Sequence, residues 1–383
     1  LALDWQPDAL LPGVALRSGL PAKGVWQTNS EMQIRDVTIV GGGPAGLASG
    51  IAAKRVGLDY SIVEKGVLVN SIFRFPVNMV FFTTPELLEI GGLPLVSPFE
   101  KPTRVEALRY YRRVVDTYDL QIEFGQHVVS VVPEGPAAAG PPGDRALERH
   151  PIFAIETRSD KGVRRIRHSR NVIFAVGYFD HPNDIGVPGE TLPHVSHYYS
   201  EAHGFYRKNV VIAGGGNSAA EAALELFRAG VNVTLVVRRE ALKPSIKYWV
   251  KPDIENRIKE GSVKAFFNTR IAEIQPTQVI VERDGAREEL PADAVFLLTG
   301  YHPDCDLYRR AGIRLQAESM SPEFNPETFE TNVPGLFLAG GAICGKDTSN
   351  IFIENGRFHG EAIISVIAHR LGKRVARPGE LPR

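Results

Sequence analysis

The chain contains two glycine-rich turns of one design, Gly41-Gly42-Gly43-Pro44-Ala45-Gly46 and Gly214-Gly215-Gly216-Asn217-Ser218-Ala219. Each lies between an apolar, β-branched run and a run of small, helix-forming residues. In such a turn the first glycine permits a tight bend and the second lets backbone approach a pyrophosphate. The third small residue lets helix and strand pack closely. Phosphate then rests on the helix N-terminus, where unpaired N–H groups and the dipole favour negative charge. One turn alone is weak evidence, whereas two in matching context predict two bound dinucleotides. The predicted contacts are Gly41, Gly43, Pro44, Ala45 and Gly46 in the first turn, and Gly214, Gly216, Asn217, Ser218 and Ala219 in the second.

The residues downstream of each turn distinguish one unit from the other. Asp36 to Val40 reads as a buried parallel strand, Gly46 to Val56 as a helix, and Tyr60 to Val63 as a second strand ending at Glu64. Glu64 stands about twenty residues past the turn, where a carboxylate hydrogen-bonds ribose hydroxyls. Asn209 to Ala213, Ala219 to Ala229 and Val231 to Val236 repeat the pattern, but Val237 takes the place of Glu64 and is followed by Arg238 and Arg239. Guanidinium groups bind a 2′-phosphate that a carboxylate would repel, so the second unit is expected to prefer NADP over NAD. Lys243 is either a further phosphate contact or an exposed loop lysine.

With 383 residues the chain suits two domains. Its 44 basic and 44 acidic residues cancel, which disfavours nucleic acid or an anionic membrane as partner. Two cysteines, Cys305 and Cys344, with no C-x-x-C and no Cys/His cluster at zinc spacing, argue against a disulfide scaffold or a metal site and suggest a cytoplasmic protein. Residues 1–31 lack a basic n-region and a long apolar core, and are expected to form an extension of no assigned role. Gln121–Val132, Ile152–Thr157 and Gly162–His168 alternate like antiparallel strands, with a loop over Pro133–Arg145. Asn171–Val176 and Ala292–Leu298 end alike, in Gly177-Tyr178 and Thr299-Gly300-Tyr301. Such paired exits suit crossings between domains and predict that the second nucleotide unit is inserted in the first.

In this arrangement the chain from Met32 onward resembles the two-dinucleotide-binding flavoprotein superfamily, in its thioredoxin-reductase-like branch. The resemblance implies an α/β fold of two Rossmann-like domains with an antiparallel β-meander. It places FAD on residues 32–180 and 299–383, and NADPH on the inserted residues 181–298. Val237 to Lys243 is similar to the His-Arg-Arg-x-x-x-Arg segment that holds the 2′-phosphate. Val333 to Gly341 is similar to the second FAD motif, which normally ends Ala-Gly-Asp and here ends Ala-Gly-Gly. The resemblance assigns Lys65, Val128, Gly340, Gly341, Ile351 and Phe352 to FAD as well, with backbone N–H groups near Ile351 and Phe352 expected to replace the missing aspartate.

Four further stretches, Met79–Phe82 with Leu88–Gly91, Lys101–Arg104, Ser245–Arg257 and Ile351–Gly360, resemble the YpdA-type flavoproteins, regarded as bacillithiol disulfide reductases. That implies hydride transfer from NADPH to FAD and on to a low-molecular-weight disulfide, in a homo-oligomer. Many members carry cysteine in the first turn where this chain has Ala45, and thioredoxin reductases carry a C-x-x-C that is absent here. Cys344 is the nearby candidate thiol, against the commoner reading of an inert buried cysteine. Lys247, Tyr248 and Lys251 either bind an anionic substrate or cover a domain surface. The competing classes are a flavin-dependent monooxygenase, with His194–Tyr199 loosely similar to its aromatic cluster, and an NADPH–ferredoxin electron-transfer flavoprotein.

Overall fold

The computed structural model describes residues 33–136 and 151–373. From Ile34 onward they belong to one compact unit, Ile34–Arg383. The expected extension over 1–31 and positions 137–145 of the expected loop lie outside the described residues.

The β-branched run β1 (Ile34–Val40) forms the middle of a sheet covered on both faces, and its last four residues are buried. The chain turns into α1 (Pro44–Arg55), whose small residues pack onto the sheet, and returns in the wholly buried β2 (Tyr60–Val63). Two single turns, α2 (Asn70–Phe73) and α3 (Pro85–Leu88), lead to α4 (Arg104–Tyr118). A capping box starts α4, with the Thr103 hydroxyl accepting from the Glu106 N–H and the Glu106 carboxylate accepting from the Thr103 N–H. The strands β3 (Ile122–Glu123), β4 (Gln126–Pro136), β5 (Pro151–Ser159) and β6 (Arg164–Phe174) complete the order β3-β2-β1-β6-β5-β4.

Three strand boundaries depart from the sequence expectation, the first being that β4 runs on through residues 133–136, which were expected to open the loop, and pairs there with β5. The run over Gln121–Val132 is two strands, because Gly125 (φ 62°) redirects the chain: β3 runs parallel to β2, and β4 antiparallel to β5. Conversely, the separate strands expected over 162–168 and 171–176 are the single β6. Its first half pairs antiparallel with β5 and its second half parallel with β1. The switch from alternating to continuous burial marks a change of surroundings along one strand.

A second, parallel sheet has the order β10-β9-β8-β14-β7. It comprises β7 (Val195–Ser196), β8 (Asn209–Ala213), β9 (Asn232–Val237), β10 (Lys264–Phe267) and β14 (Ala294–Leu297), with α5 (Asn217–Arg228) and α6 (Lys251–Lys259) between its strands. An antiparallel layer that no sequence pattern had singled out, β11 (Arg270–Ile274), β12 (Gln278–Arg283) and β13 (Ala286–Pro291), packs Ile274, Val279 and Leu290 on Val211, Val236 and Val295 of that sheet. The chain returns through α7 (Cys305–Arg310) to β15 (Leu336–Leu338), which joins β6 in the first sheet, and then α8 (Ile353–Gly356) and α9 (His359–Arg370). No helix among the described residues is long and apolar enough to cross a membrane.

The halves meet at the crossings, at the Val77 N–H, which donates to the Ser200 carbonyl at 2.9 Å, and farther out through side chains. The crossing segments pair with each other: the Asn183 N–H donates to the Gly300 carbonyl, and the His302 N–H to the His181 carbonyl. Farther out, Asn78 donates to Glu225 at 2.9 Å, and Phe82 stacks on Trp249 at 5.7 Å with the Lys101 ammonium 4.3 Å from the same indole. Lys247 is buried here, paired with Glu221 at 2.6 Å and donating to the Val80 carbonyl at 3.2 Å. Its ammonium is therefore committed to the seam, while Tyr248 beside it is exposed. Replacing Lys247 by Met should lower unfolding stability by about 1–3 kcal/mol, the cost of leaving its partners unmatched. A urea midpoint equal to wild type would show that the tie carries no weight.

Candidate dinucleotide sites

Both glycine turns open on one cleft of about 2480 Å³. In the first turn, a Cβ at Gly41 (φ 112°) would lie 2.4 Å from the Ala175 carbonyl oxygen, and one at Gly46 would lie 1.9 Å from the Gly41 carbonyl oxygen. Gly43 has nothing within 4 Å, so it faces open space. It is also the N-cap of α1, which has Pro44 in its first turn, no side-chain cap and no acid there. That leaves a helix start able to receive an anion. Ala45 lines the same wall.

Glu64 is buried at the end of β2, its Oε2 accepting from the Gly42 N–H at 2.6 Å and its Oε1 from the Gly66 N–H at 2.7 Å. Burial pushes its carboxyl up and the two N–H bonds pull it back, leaving it above the usual glutamate value. Each oxygen retains a lone pair for a hydroxyl. Lys65 is paired with Asp180 at 3.0 Å, and Asp180 also takes Arg74 at 2.8 Å. Val128, buried on β4, lines this end.

The C-terminal motif closes the same end. A Cβ at Gly340 (φ 63°) would lie 2.7 Å from the Ala45 Cβ, and one at Gly341 would lie 2.7 Å from the Tyr178 ring. With the Tyr178 ring in this position, an aspartate side chain at 341 would collide with it. Ile351 and Phe352 line the cleft, as expected for residues at the FAD end. The Phe352 N–H donates to Asn355 Oδ1 at 2.9 Å. Of the two amides expected to replace the aspartate, that of Phe352 is thus committed within its own turn. Cys344 is buried outside the cleft lining, and burial together with the Asp347 charge pushes its thiol up to about 11. A protonated, enclosed thiol is a poor nucleophile. Cys305 is also buried, which raises its thiol.

The second turn repeats the first. A Cβ at Gly214 (φ 152°) would lie 2.7 Å from the Leu298 carbonyl oxygen and 3.0 Å from the Ala219 Cβ. Gly216, N-cap of the uncapped α5, meets only Lys243 Cδ at 3.6 Å. Asn217 braces the loop above it, accepting from the Lys247 N–H at 2.8 Å and donating to the Ser245 carbonyl at 3.2 Å. Ser218 is exposed to the cleft, and Ala219 is buried beneath. Arg238, Arg239 and Lys243 are exposed on the cleft wall, with no ion-pair partner among the described residues. Sequence reasoning passed over Tyr178, Asp180 and Arg74. The signal for Tyr178 was its place directly after Gly177, at a strand exit.

Two sheet-edge turns facing one cleft, one served by a carboxylate and the other by free cations, define a two-nucleotide flavoprotein oxidoreductase. Residues 38–139 and 146–340 match the pyridine nucleotide-disulphide oxidoreductase family. Bacilliredoxin reductase Bdr of Bacillus subtilis (strain 168) is 39% identical over 334 residues, which cover 87% of this chain and 97% of that one. The structure of bacillithiol disulfide reductase Bdr (YpdA) from Bacillus cereus superposes with a TM-score of 0.83 at 36% identity, covering 88% of this chain and 100% of its own. A Lactococcus lactis thioredoxin reductase shares the fold at 19% identity and a TM-score of 0.67, covering 88% of this chain and 99% of that one. The chain belongs to the pyridine nucleotide-disulphide oxidoreductase family, in its YpdA-type branch. It is an NADPH-dependent flavin oxidoreductase whose cofactors are FAD and NADP(H).

Replacing Arg238 and Arg239 together by Ala should weaken NADPH use about 10- to 100-fold while NADH use changes little, as expected for lost charge-assisted bonds to a phosphate. Anaerobic flavin bleaching with each coenzyme measures this, and equal losses for both would remove the phosphate role.

A second prediction concerns His359, whose Nδ1 accepts from the Gly340 N–H at 3.1 Å. Burial pushes this histidine from 6.5 down to about 4. Between those values the unfolded chain binds more protons than the folded one, so stability falls as pH drops from about 6.5 towards 4. His359→Asn keeps an acceptor for Gly340 and should flatten that slope in thermal unfolding. An unchanged slope would assign the titration to another group.

Proposed function

We propose that the chain passes electrons from NADPH through FAD to a low-molecular-weight disulfide of the bacillithiol type, with the balance NADPH + H⁺ + RSSR → NADP⁺ + 2 RSH. The observation that carries this reading is the match along nearly the whole length of the Bacillus relatives, whose names specify bacilliredoxin and bacillithiol disulfide reduction. On this reading residues 32–180 and 299–383 form the FAD-binding domain, and the inserted residues 181–298 bind NADPH.

When bound, FAD supplies the two-electron step between nicotinamide and disulfide. The start of α1 holds its pyrophosphate and Glu64 its ribose hydroxyls, both already fixed by backbone. Arg238, Arg239 and Lys243 hold the 2′-phosphate of NADPH, and Asn217 keeps the 243–247 loop in place over α5. Ala45 offers no thiol, and Cys344 is enclosed and protonated at neutral pH. This reading therefore assigns no relay role to Ala45 or Cys344, and the electrons that FAD would supply when bound would pass to the disulfide without either of them.

The test is NADPH consumption by the FAD-loaded protein with bacillithiol disulfide, cystine, ferredoxin and oxygen in parallel, with thiol counted. Two thiols per NADPH from bacillithiol disulfide are expected, and Cys344→Ser should keep about half or more of the rate because its thiol is not ionised. Turnover with ferredoxin alone, or oxygenated product, would replace this acceptor. Loss of turnover in Cys344→Ser would restore the thiol relay.

A further inference from the structure

The end of the cleft assigned to FAD is walled largely by backbone and methyl groups. Gly340 stands against Ala45, and a Cβ at Gly356 would lie 3.0 Å from the Gly340 Cα. Beside Gly341 the side chain that meets this wall is Tyr178, with Glu354 also on the lining. Tyr178 leaves β6 through Gly177 (φ 65°) and sets its ring against Gly341, where a Cβ would lie 2.7 Å from Cδ1 and 2.9 Å from Cε1. Neighbouring tyrosines are committed: Tyr198 donates to the Phe179 carbonyl at 3.0 Å, Tyr301 to the His197 carbonyl at 3.0 Å, and Tyr308 to the Ala342 carbonyl at 2.8 Å. The Tyr178 hydroxyl has no hydrogen-bond partner among the described residues, and the residue lines the cleft. Burial pushes its phenol up to about 12, so it keeps its proton and remains a donor. The residue is half-buried, so its packed ring leaves the hydroxyl unpaired at the cleft wall, where an acceptor brought by a ligand that displaces water can take it.

We infer that Tyr178 is a FAD-positioning residue whose hydroxyl donates to an acceptor atom of the cofactor, and that Gly341 is glycine because the ring needs its space. This rests on the reading that this end of the cleft holds FAD. It accounts for the altered motif: the position that lost its side chain is the one against which the tyrosine packs.

The experiment is titration of apo-protein with FAD, followed by flavin fluorescence and visible absorbance. Tyr178→Phe keeps the ring and should raise the FAD Kd about tenfold, one hydrogen bond's worth, while shifting the visible flavin band and leaving apo-protein Tm unchanged. Gly341→Ala, which crowds the ring, should also weaken FAD, and adding Tyr178→Phe to it should cost less than the phenylalanine variant costs alone. A Tyr178→Phe Kd within about twofold of wild type with an unmoved band, or fully additive costs, overturns the proposal. Glu64→Ala is the separate check on the cleft assignment. If it leaves FAD affinity intact, that assignment fails, whatever the tyrosine variant does.

Discussion

The structure depends on how closely a turn can approach the exit of the neighbouring parallel strand. After β1 the chain must bend against Ala175, just past the end of β6, and after β8 against Leu298, just past the end of β14. In both places only a glycine with positive φ fits, since a Cβ would come within 2.4 Å and 2.7 Å of the respective carbonyl oxygens. A side chain at Gly41 or Gly214 would push the turn off the sheet and move the start of α1 or α5. The strand exits that impose this limit lead within a few residues into the two crossings, which pair through Asn183 and Gly300. Phosphate-sized openings and the junction between the halves are thus consequences of one backbone packing, made twice.

The two openings differ in what surrounds them. Glu64 is fixed before any ligand arrives, because the amides of Gly42 and Gly66 hold both carboxylate oxygens. Its burial is costly for the charged form, and those bonds offset part of that cost. Arg238, Arg239 and Lys243 are the reverse: exposed and without ion-pair partners among the described residues. Long hydrated cations lose rotamer freedom when a phosphate orders them, so this site gives up entropy on binding that the Glu64 site has already given up in folding. A tightly kept cofactor suits the first arrangement and an exchanging one suits the second.

The parts legible in the sequence were those governed by local rules. Tyr60–Val63 and Asn209–Ala213 form strands over the residues expected, and the glycines of both turns take the conformations that their spacing demands. The errors arose where environment changes along an element. β6 passes from an antiparallel to a parallel partner, so its burial pattern reads as two strands. The β11–β13 layer was missed because its outer strand β13 is almost wholly exposed and offers no apolar run. Side-chain commitments were illegible for another reason: nothing in the order of residues shows that Asn355 takes the Phe352 amide, or that Tyr178 fills the space beside Gly341.

The seam between the halves is energetically uneven. At the crossings the two segments are joined covalently to both sheets and to each other by backbone bonds, and Phe179 packs there against Tyr198 and Tyr301 at 5.3 Å and 4.6 Å. The outer contacts, Asn78 with Glu225, Lys247 with Val80, and Phe82 with Trp249, are single side-chain interactions worth about 1 kcal/mol each. Separating the outer set therefore costs a few kcal/mol, within reach of a ligand with different affinity for two arrangements. Separating the inner set would unpair backbone and expose an aromatic cluster. The firmer part of the seam is thus the one next to the two glycine turns, since Gly41 and Gly214 abut Ala175 and Leu298 immediately before the crossings.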